Sequence, residues 1–212
     1  MGMKAIARVE AEHKGRKRVY ESVAILQQRF DKLRIEGHGP MGETLFVLAW
    51  NGKDVLLRKA GEPEPVMVGQ FGLERIVGVP LSPAELCAIL SGNLPDIPDH
   101  AVATVGCAQA GWCVADLRYD GQRWKVTFEP GGGEKGDLRI DAIELYRSER
   151  IVFRSTFAYR KEGVNQLFPD PTWIRIESPD RGMSVTVAYQ DADMNVPVED
   201  GAFDLGGEGG GI

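Results

Sequence analysis

Over most of its length the chain alternates apolar and polar residues with a period of two, the mark of strands with one buried face. Ala5-Ile6-Ala7-Arg8-Val9-Glu10 leads through a turn at Gly15 into Val19–Gln27. Asp31–Glu36 follows, with Leu33 and Ile35 on one side and the charges on the other. After a Gly39-Pro40-Met41-Gly42 turn comes Glu43–Trp50, and Asn51-Gly52 reads as a two-residue hairpin turn into Asp54–Arg58. Val114–Tyr119 and Arg123–Phe128 flank Asp120-Gly121, a second turn of that kind, and Trp124, Val126 and Phe128 share a face. Leu138–Leu145, Ile151–Tyr159, Thr172–Glu177 and Met183–Tyr189 complete the set. The pattern predicts a mainly β fold of about eleven or twelve strands with short antiparallel connections.

One region breaks the alternation, Phe71 to Leu90. Ser82 suits an N-cap, Pro83 the first helical position, and Glu85 stands three residues after the cap. Leu86, Ile89 and Leu90 then fall on one face of a short helix that Ser91-Gly92 ends. A second helical turn is expected over Leu73–Val77. A large sheet must cover its apolar face. Either it closes on itself, or it curls into an open, strongly curved barrel with a short helical lid, which leaves an apolar cavity beneath the lid. The chain reads as one domain over residues 1–205, followed by a flexible, glycine-rich tail at 206–212.

Composition narrows the classes. Hydrophobic residues make up 43% of the chain and charged residues 26%, which excludes wholesale disorder. The 26 glycines and 12 prolines follow no collagen period and serve turns. A net charge of −6 argues against a whole-protein nucleic-acid footprint. Three cysteines are too few for a disulfide scaffold. Two readings of Cys107 and Cys113 stand: a short hairpin disulfide in an oxidising compartment, or ordinary buried thiols like Cys87. The chain opens with Met1-Gly2-Met3 and no basic-then-apolar leader, as expected of a cytosolic protein or of one whose leader has been removed.

Familiar catalytic and cofactor motifs fail on context. Gly37-His38-Gly39-Pro40-Met41-Gly42 matches the letters of a dinucleotide fingerprint, but a strand rather than a helix follows it and Pro40 removes a backbone donor. Gly131–Gly136 lacks the lysine-hydroxyl ending of a P-loop and reads as a loop. Asp191-Ala192-Asp193-Met194-Asn195 begins like a calcium loop, but Val196 replaces the needed glycine and Ala202 the glutamate, so a solvated turn is expected. His13, His38 and His100 fall in expected loops without metal-ligand spacing. Asp96 and Asp99 flank a turn proline, and Trp50, Trp112, Trp124 and Trp173 suit a core. No catalytic residue, metal site or cofactor is nominated, and the chain is not expected to be an enzyme.

Three stretches resemble a known family. Asp31 to Leu45, a strand, a Gly-Pro-Met-Gly turn and a second strand, is similar to the strand–turn–strand of the outer-membrane lipoprotein receptor LolB. Val77 to Pro95 resembles the helical segment of that family, and Leu117 to Val126 its later hairpin. Together they span roughly residues 5 to 128, in the family's order. Thr172–Tyr189 and Asp200–Leu205 look like the end of the wider LolA/LolB-like superfamily.

The resemblance implies an unclosed antiparallel barrel whose helical lid covers a cavity for lipoprotein acyl chains. It implies as partners those acyl chains or another lipid, a periplasmic LolA-like carrier, and the inner leaflet of the outer membrane. It places the protein at the periplasmic face of that membrane, lipid-anchored. Gly39, Pro40, Met41 and Gly42 correspond to the loop whose exposed apolar tip inserts lipoproteins into the bilayer; the bland reading is that Met41 packs back onto the sheet. Leu33, Ile35, Leu45, Val47, Trp124, Val126 and Phe128, with Leu86, Ile89 and Leu90 from the lid, are the candidate cavity lining. Periodicity does not separate such a lining from plain core. The family's signal, anchoring cysteine and first lid helix are not in this chain, and a strand pair over about 134–162 has no counterpart in compact members. Two alternatives follow: an interaction or sensor domain with a collapsed cavity, and a LolA-like carrier.

Overall fold

A computed structural model of the chain describes residues 2–28, 31–69, 73, 76, 79–108, 111–130, 138–159 and 171–205. Its strands are β1 (Gly2–His13), β2 (Arg16–Gln28), β3 (Lys32–His38), β4 (Thr44–Trp50), β5 (Val55–Lys59), β6 (Val66–Met67), β7 (Val102–Cys107), β8 (Cys113–Tyr119), β9 (Gln122–Pro130), β10 (Leu138–Arg147), β11 (Arg150–Tyr159), β12 (Pro171–Ser178) and β13 (Met183–Val196). Helix α1 (Pro83–Leu90) lies between β6 and β7 in the chain.

All described strands belong to one antiparallel sheet of order β6-β5-β4-β3-β2-β1-β13-β12-β11-β10-β9-β8-β7. Every neighbouring pair is consecutive in sequence except β1 with β13. The sheet is therefore two meanders, β1–β6 and β7–β13, stitched together by the first and last strands. β6 and β7 are its free edges, and the connection carrying α1 leads from one to the other. This is the open, mainly β barrel that the alternation predicts. The two strands not read from the alternation are the edges, one only two residues long and the other wholly exposed.

The curvature has visible sources. Register shifts set Glu21 and Ser22 of β2 together opposite Arg8 of β1, leave Gln190 between Tyr189 and Asp191 of β13 without a partner on β1, and leave Asp141 between Ile140 and Ala142 of β10 without one on β9. Such bulges bend a strand and strengthen its right-handed twist. Left-handed backbone at Lys14-Gly15, Asp120-Gly121 and Ser148-Glu149 makes the tight hairpin turns that match this twist.

Several local expectations change. Asn51-Gly52 is not a two-residue turn: Trp50 pairs with Val55, and Asn51 Oδ1 accepts from the backbone N–H groups of Lys53 and Asp54 across a four-residue loop. Asp191–Asn195 is not a solvated turn but part of β13, with Asp191 opposite Ile6 and Met194 opposite Met3. His13 and His38 end strands rather than lying in loops. Leu73 and Ile76 are helical, while the rest of the Leu73–Val77 turn lies outside the described residues, as do the Gly131–Gly136 loop and the 206–212 tail. The strand pair without a family counterpart, β10–β11, is no appendage. It sits between β9 and β12 and contributes Ile143, Leu145 and Phe153 to the core.

The convex face is also partly covered. After β13 the chain passes behind β3 and β4 in a 3-10 turn, Asp200–Phe203. Phe203 and Leu205 are buried, Leu205 with Val47 and Ala49. Lys32 Nζ lies 2.9 Å from Asp200 Oδ1, and Arg34 Nη1 donates to the Ala202 carbonyl at 2.7 Å. Under this strap Arg34 and Glu36 form an ion pair buried on both sides. On β2, Ala24 and Leu26 are buried as fully as Val23 and Ile25, which point to the opposite face. Phe203→Ala is expected to lower the unfolding free energy by about 3 kcal/mol, whereas Val66→Ala at the exposed edge stays within about 0.5 kcal/mol. Equilibrium urea denaturation measures both.

Candidate functional site

Among the described residues the main hydrophobic core lies on the concave side of the sheet. Met3, Ala5 and Ala7 of β1, Val23 and Ile25 of β2, and Leu33 of β3 line one half. Trp124 and Val126 of β9, Phe153 of β11 and Ile174 and Ile176 of β12 line the other. Trp124 and Phe153 meet edge to face, ring centroids 5.6 Å apart. Helix α1 lies in this trough.

Its start is fixed by sequence-local chemistry. Ser82 Oγ accepts from the Glu85 backbone N–H and the Glu85 carboxylate accepts from that of Ser82, a reciprocal capping box. Pro83 occupies the first turn. The alternation predicts one apolar face, Leu86, Ile89 and Leu90, and all three are buried. Cys87 and Ala88 are buried too, at 0% and 1% exposure. A helix covered on nearly every side is set into the sheet rather than resting on it. Burial pushes the Cys87 thiol far up, leaving it protonated and inert.

Its far end is pinned by side chains of the sheet. The Tyr189 hydroxyl donates to the Leu90 carbonyl at 2.6 Å, and burial pushes this phenol up. Gln27 Nε2 donates to Ser91 Oγ at 3.1 Å, and Ser91 Oγ donates back to the Cys87 carbonyl. Beyond the helix Gly92 has φ +69°, and a Cβ there would lie 3.2 Å from Pro171 Cδ. At the other end Tyr119 packs against the core, its phenol pushed up to about 12 by burial, with Glu85 and Asp120 adding to the shift.

The expected lining is placed as follows. Leu33, Leu86, Ile89, Leu90, Trp124 and Val126 belong to the main core, with Ile35 and Phe128 packed against it. Val47 does not: it belongs to the convex cluster with Ala49 and Leu205. Leu45 shares its strand parity, and Phe46, Leu48 and Trp50 face the trough instead. The pairing of Glu36 with Val47 fixes this register. Both faces of β4 are apolar, so alternation alone could not choose between them. Tyr189 and Gln27, which hold the helix, carry no sequence signal.

The trough is filled. Leu86, Ile89, Trp124 and Val126 are all at most 2% exposed, which leaves no water-sized void against them. Two surface clefts lie elsewhere: about 340 Å³ beside Arg118, Arg123, Tyr146 and Glu149, and about 280 Å³ beside Thr44, Arg58 and Lys59. Two buried polar atoms of the trough floor, Trp124 Nε1 and Ser155 Oγ, have no hydrogen-bond partner among the described residues. No group of three His, Cys, Asp or Glu side chains among the described residues is placed to hold a metal ion.

Two further features bear on function. Met41 is 93% exposed at the tip of the β3–β4 turn. The turn is closed by Gly39 N–H to the Glu43 carbonyl (2.8 Å), Gly42 N–H to the Gly39 carbonyl (3.0 Å) and Met41 N–H to the Glu43 carboxylate (3.0 Å). A Cβ on Gly39 would strike that carboxylate at 2.1 Å, and Gly42 has φ +81°. Met41 is thus presented on a tightly bonded turn and does not pack on the sheet. Cys107 and Cys113 face each other across β7–β8 and are joined by a disulfide.

No protein-family model matches the chain, and no curated protein matches it by sequence. Solved structures do match in fold. A DUF1329 family protein from Desulfovibrio piger superposes with a TM-score of 0.67 at 14% identity, over 96% of this chain and 90% of that one. A putative outer membrane lipoprotein-sorting protein domain from Vibrio parahaemolyticus gives 0.68 at 11% identity, over 96% and 89%. The LolA superfamily protein NE2245 from Nitrosomonas europaea gives 0.57 at 11% identity, over 96% and 90%. The described chain thus shares the LolA-like open β-barrel fold.

Proposed function

We propose that this protein binds acyl chains of lipoproteins or other lipids in the concave trough and passes them to a membrane, as a LolB-like acceptor at the periplasmic face of an outer membrane. The observation that carries the reading is α1: a helix apolar on nearly all sides, filling a trough that becomes an acyl-chain site when the helix withdraws. The magnitudes permit the exchange. Re-exposing Leu86, Ile89 and Leu90 costs about 1.5–3 kcal/mol each. An acyl chain of roughly sixteen carbons gains about 12 kcal/mol gross on burial, at about 0.8 per CH₂. The unpartnered Trp124 Nε1 and Ser155 Oγ suit the ester oxygens of such a chain. Exposed Met41 favours an acceptor over a soluble carrier, because one apolar side chain on a rigid turn enters a bilayer interface at small cost. The Cys107–Cys113 disulfide fits an oxidising compartment. A periplasmic LolA-like carrier is the expected donor.

Two measurements test this. Tyr189→Phe removes the hydroxyl that holds Leu90. It should weaken the closed helix by about 1 kcal/mol and tighten binding of a fluorescent fatty acid by up to about fivefold. Absence of saturable fatty-acid binding by the unmodified protein would sink the trough assignment. Met41→Glu should leave the urea midpoint unchanged and reduce transfer of a bound lipidated peptide to vesicles about tenfold. Undiminished transfer would remove Met41 from the membrane step.

A further inference from the structure

The β1–β2 hairpin ends in His13-Lys14-Gly15-Arg16-Lys17-Arg18, the densest run of basic residues in a chain of net charge −6. Antiparallel order puts its tip at the same end of the sheet as the β3–β4 turn that carries Met41. Pairing between β2 and β3 stops at Ser22–His38, whereas β2 begins at Arg16. The hairpin therefore projects six residues beyond β3, about 20 Å at strand rise.

Its charges are sorted by face. Arg8 and Lys17 are held by Glu10, and Arg8 also by Glu21. Arg18 pairs in register with Ala11, and Arg16 with His13, on the face where Val9, Ala11 and Tyr20 pack against the core. Lys14, Arg16 and Arg18 are exposed, and no ion pair to them occurs among the described residues. Lys59, opposite Phe46 at the top of β5, is a further exposed cation at this end. Among nearby carboxylates, Glu43 is folded under the turn onto the Met41 N–H, Glu12 stands opposite Lys17, and Glu62 and Glu64 lie in the β5–β6 loop.

The hairpin is mechanically tied to the Met41 turn. Gly37 of β3 has no side chain, and a Cβ there would lie 2.2 Å from the Phe46 ring. Phe46 therefore crosses over β3 and meets Tyr20 of the hairpin edge to face at 5.4 Å. One rigid end of the barrel thus carries an exposed apolar tip with uncommitted cations on either side in strand order, β2 and β5.

We infer that this end is a docking surface for a membrane bearing anionic phosphate headgroups, with Lys14, Arg16 and Arg18 selecting the lipid charge and Met41 entering the interface. The inference rests on the membrane step proposed above and adds the lipid class to it. The local cations are needed because the protein as a whole is acidic, and with distant charges screened beyond a Debye length it is the groups nearest the surface that decide attraction or repulsion. Near an anionic leaflet each Lys or Arg strengthens binding about fivefold, and salt weakens the effect.

Vesicle flotation of the full chain distinguishes the parts, using phosphatidylcholine vesicles and vesicles enriched in phosphatidylglycerol, at low and high salt. The unmodified protein should bind the anionic vesicles at least about tenfold more tightly at low salt, and the preference should fade at high salt. The triple variant Lys14→Gln, Arg16→Gln, Arg18→Gln should fall to the neutral-vesicle level on both, while Arg16→Lys with Arg18→Lys keeps the preference. Met41→Ser should weaken binding to both vesicle types. Equal binding of the unmodified protein to both lipids, or a preference that survives the triple variant, overturns the headgroup assignment and leaves the Met41 step standing if Met41→Ser still weakens binding. If the unmodified protein binds neither vesicle, the membrane step falls and the headgroup assignment falls with it.

Discussion

Everything in this molecule depends on burying the concave face of one very wide sheet. Thirteen strands could not stay flat without leaving an apolar surface in water, and two free edges prevent closure into a sealed barrel. The bulges at Glu21-Ser22, Asp141 and Gln190 bend the sheet, and α1 fills the trough that bending creates. The chain reaches this arrangement economically. The connection from the β6 edge to the β7 edge carries α1 into the mouth, so the segment that must bridge the opening is also the one that fills it. What holds the helix is mostly apolar contact, with the hydroxyl of Tyr189 and the amide of Gln27 at one end and a self-contained capping box at the other. A helix that carries its own N-terminal cap needs few sheet contacts to stay helical, which suits the withdrawal as a unit that the proposed function requires.

The convex side obeys the same constraint in a smaller way. Where Val47 and Ala49 face outward, the last described stretch of the chain returns over them with Phe203 and Leu205. The buried Arg34–Glu36 pair beneath it is an expensive feature. Its compensation is specific: Arg34 also donates to the Ala202 carbonyl, and Lys32 meets Asp200, so the strap is registered by charge as well as by apolar contact. Strands β2 to β4 therefore have two covered faces, while β10 and β11 leave their outer face to paired charges such as Glu144 with Arg154.

This asymmetry explains what could be read from the residues and what could not. Strands with one covered face, such as β9 with Trp124 and Val126 inward, announce their orientation by alternation, and those assignments place the right residues in the trough. β4 has both faces covered, its sequence Leu45-Phe46-Val47-Leu48-Ala49-Trp50 is apolar throughout, and its inward set cannot be chosen without the pairing register. The helix was legible because capping chemistry is local: Ser82, Pro83 and Glu85 determine it within four residues. That it is buried on nearly every side was not, since burial of Cys87 and Ala88 depends on a trough built from distant strands. Tyr189 and Gln27 were invisible for the same reason, as their partners lie 99 and 64 residues away. The short edges escaped notice because two residues, Val66 and Met67, make no period, and β7 is exposed on both sides.

The two edges also constrain how the trough can open. Loosening the sheet by separating β1 from β13 would break the longest strand pairing in the molecule, twelve residues of β1 against fourteen of β13. Widening the gap between β6 and β7 breaks no ladder, because no described residues pair across it. Opening is therefore cheapest at the mouth, where α1 sits, and the disulfide between Cys107 and Cys113 keeps the exposed β7 edge attached to β8 during such a movement. Were α1 to give way to an acyl chain, the β6 edge, two residues long, would yield with the least loss of ladder. An edge this short gives the connection little to hold on to, and in the proposed exchange of helix for acyl chain that weakness is what would make a filled trough available.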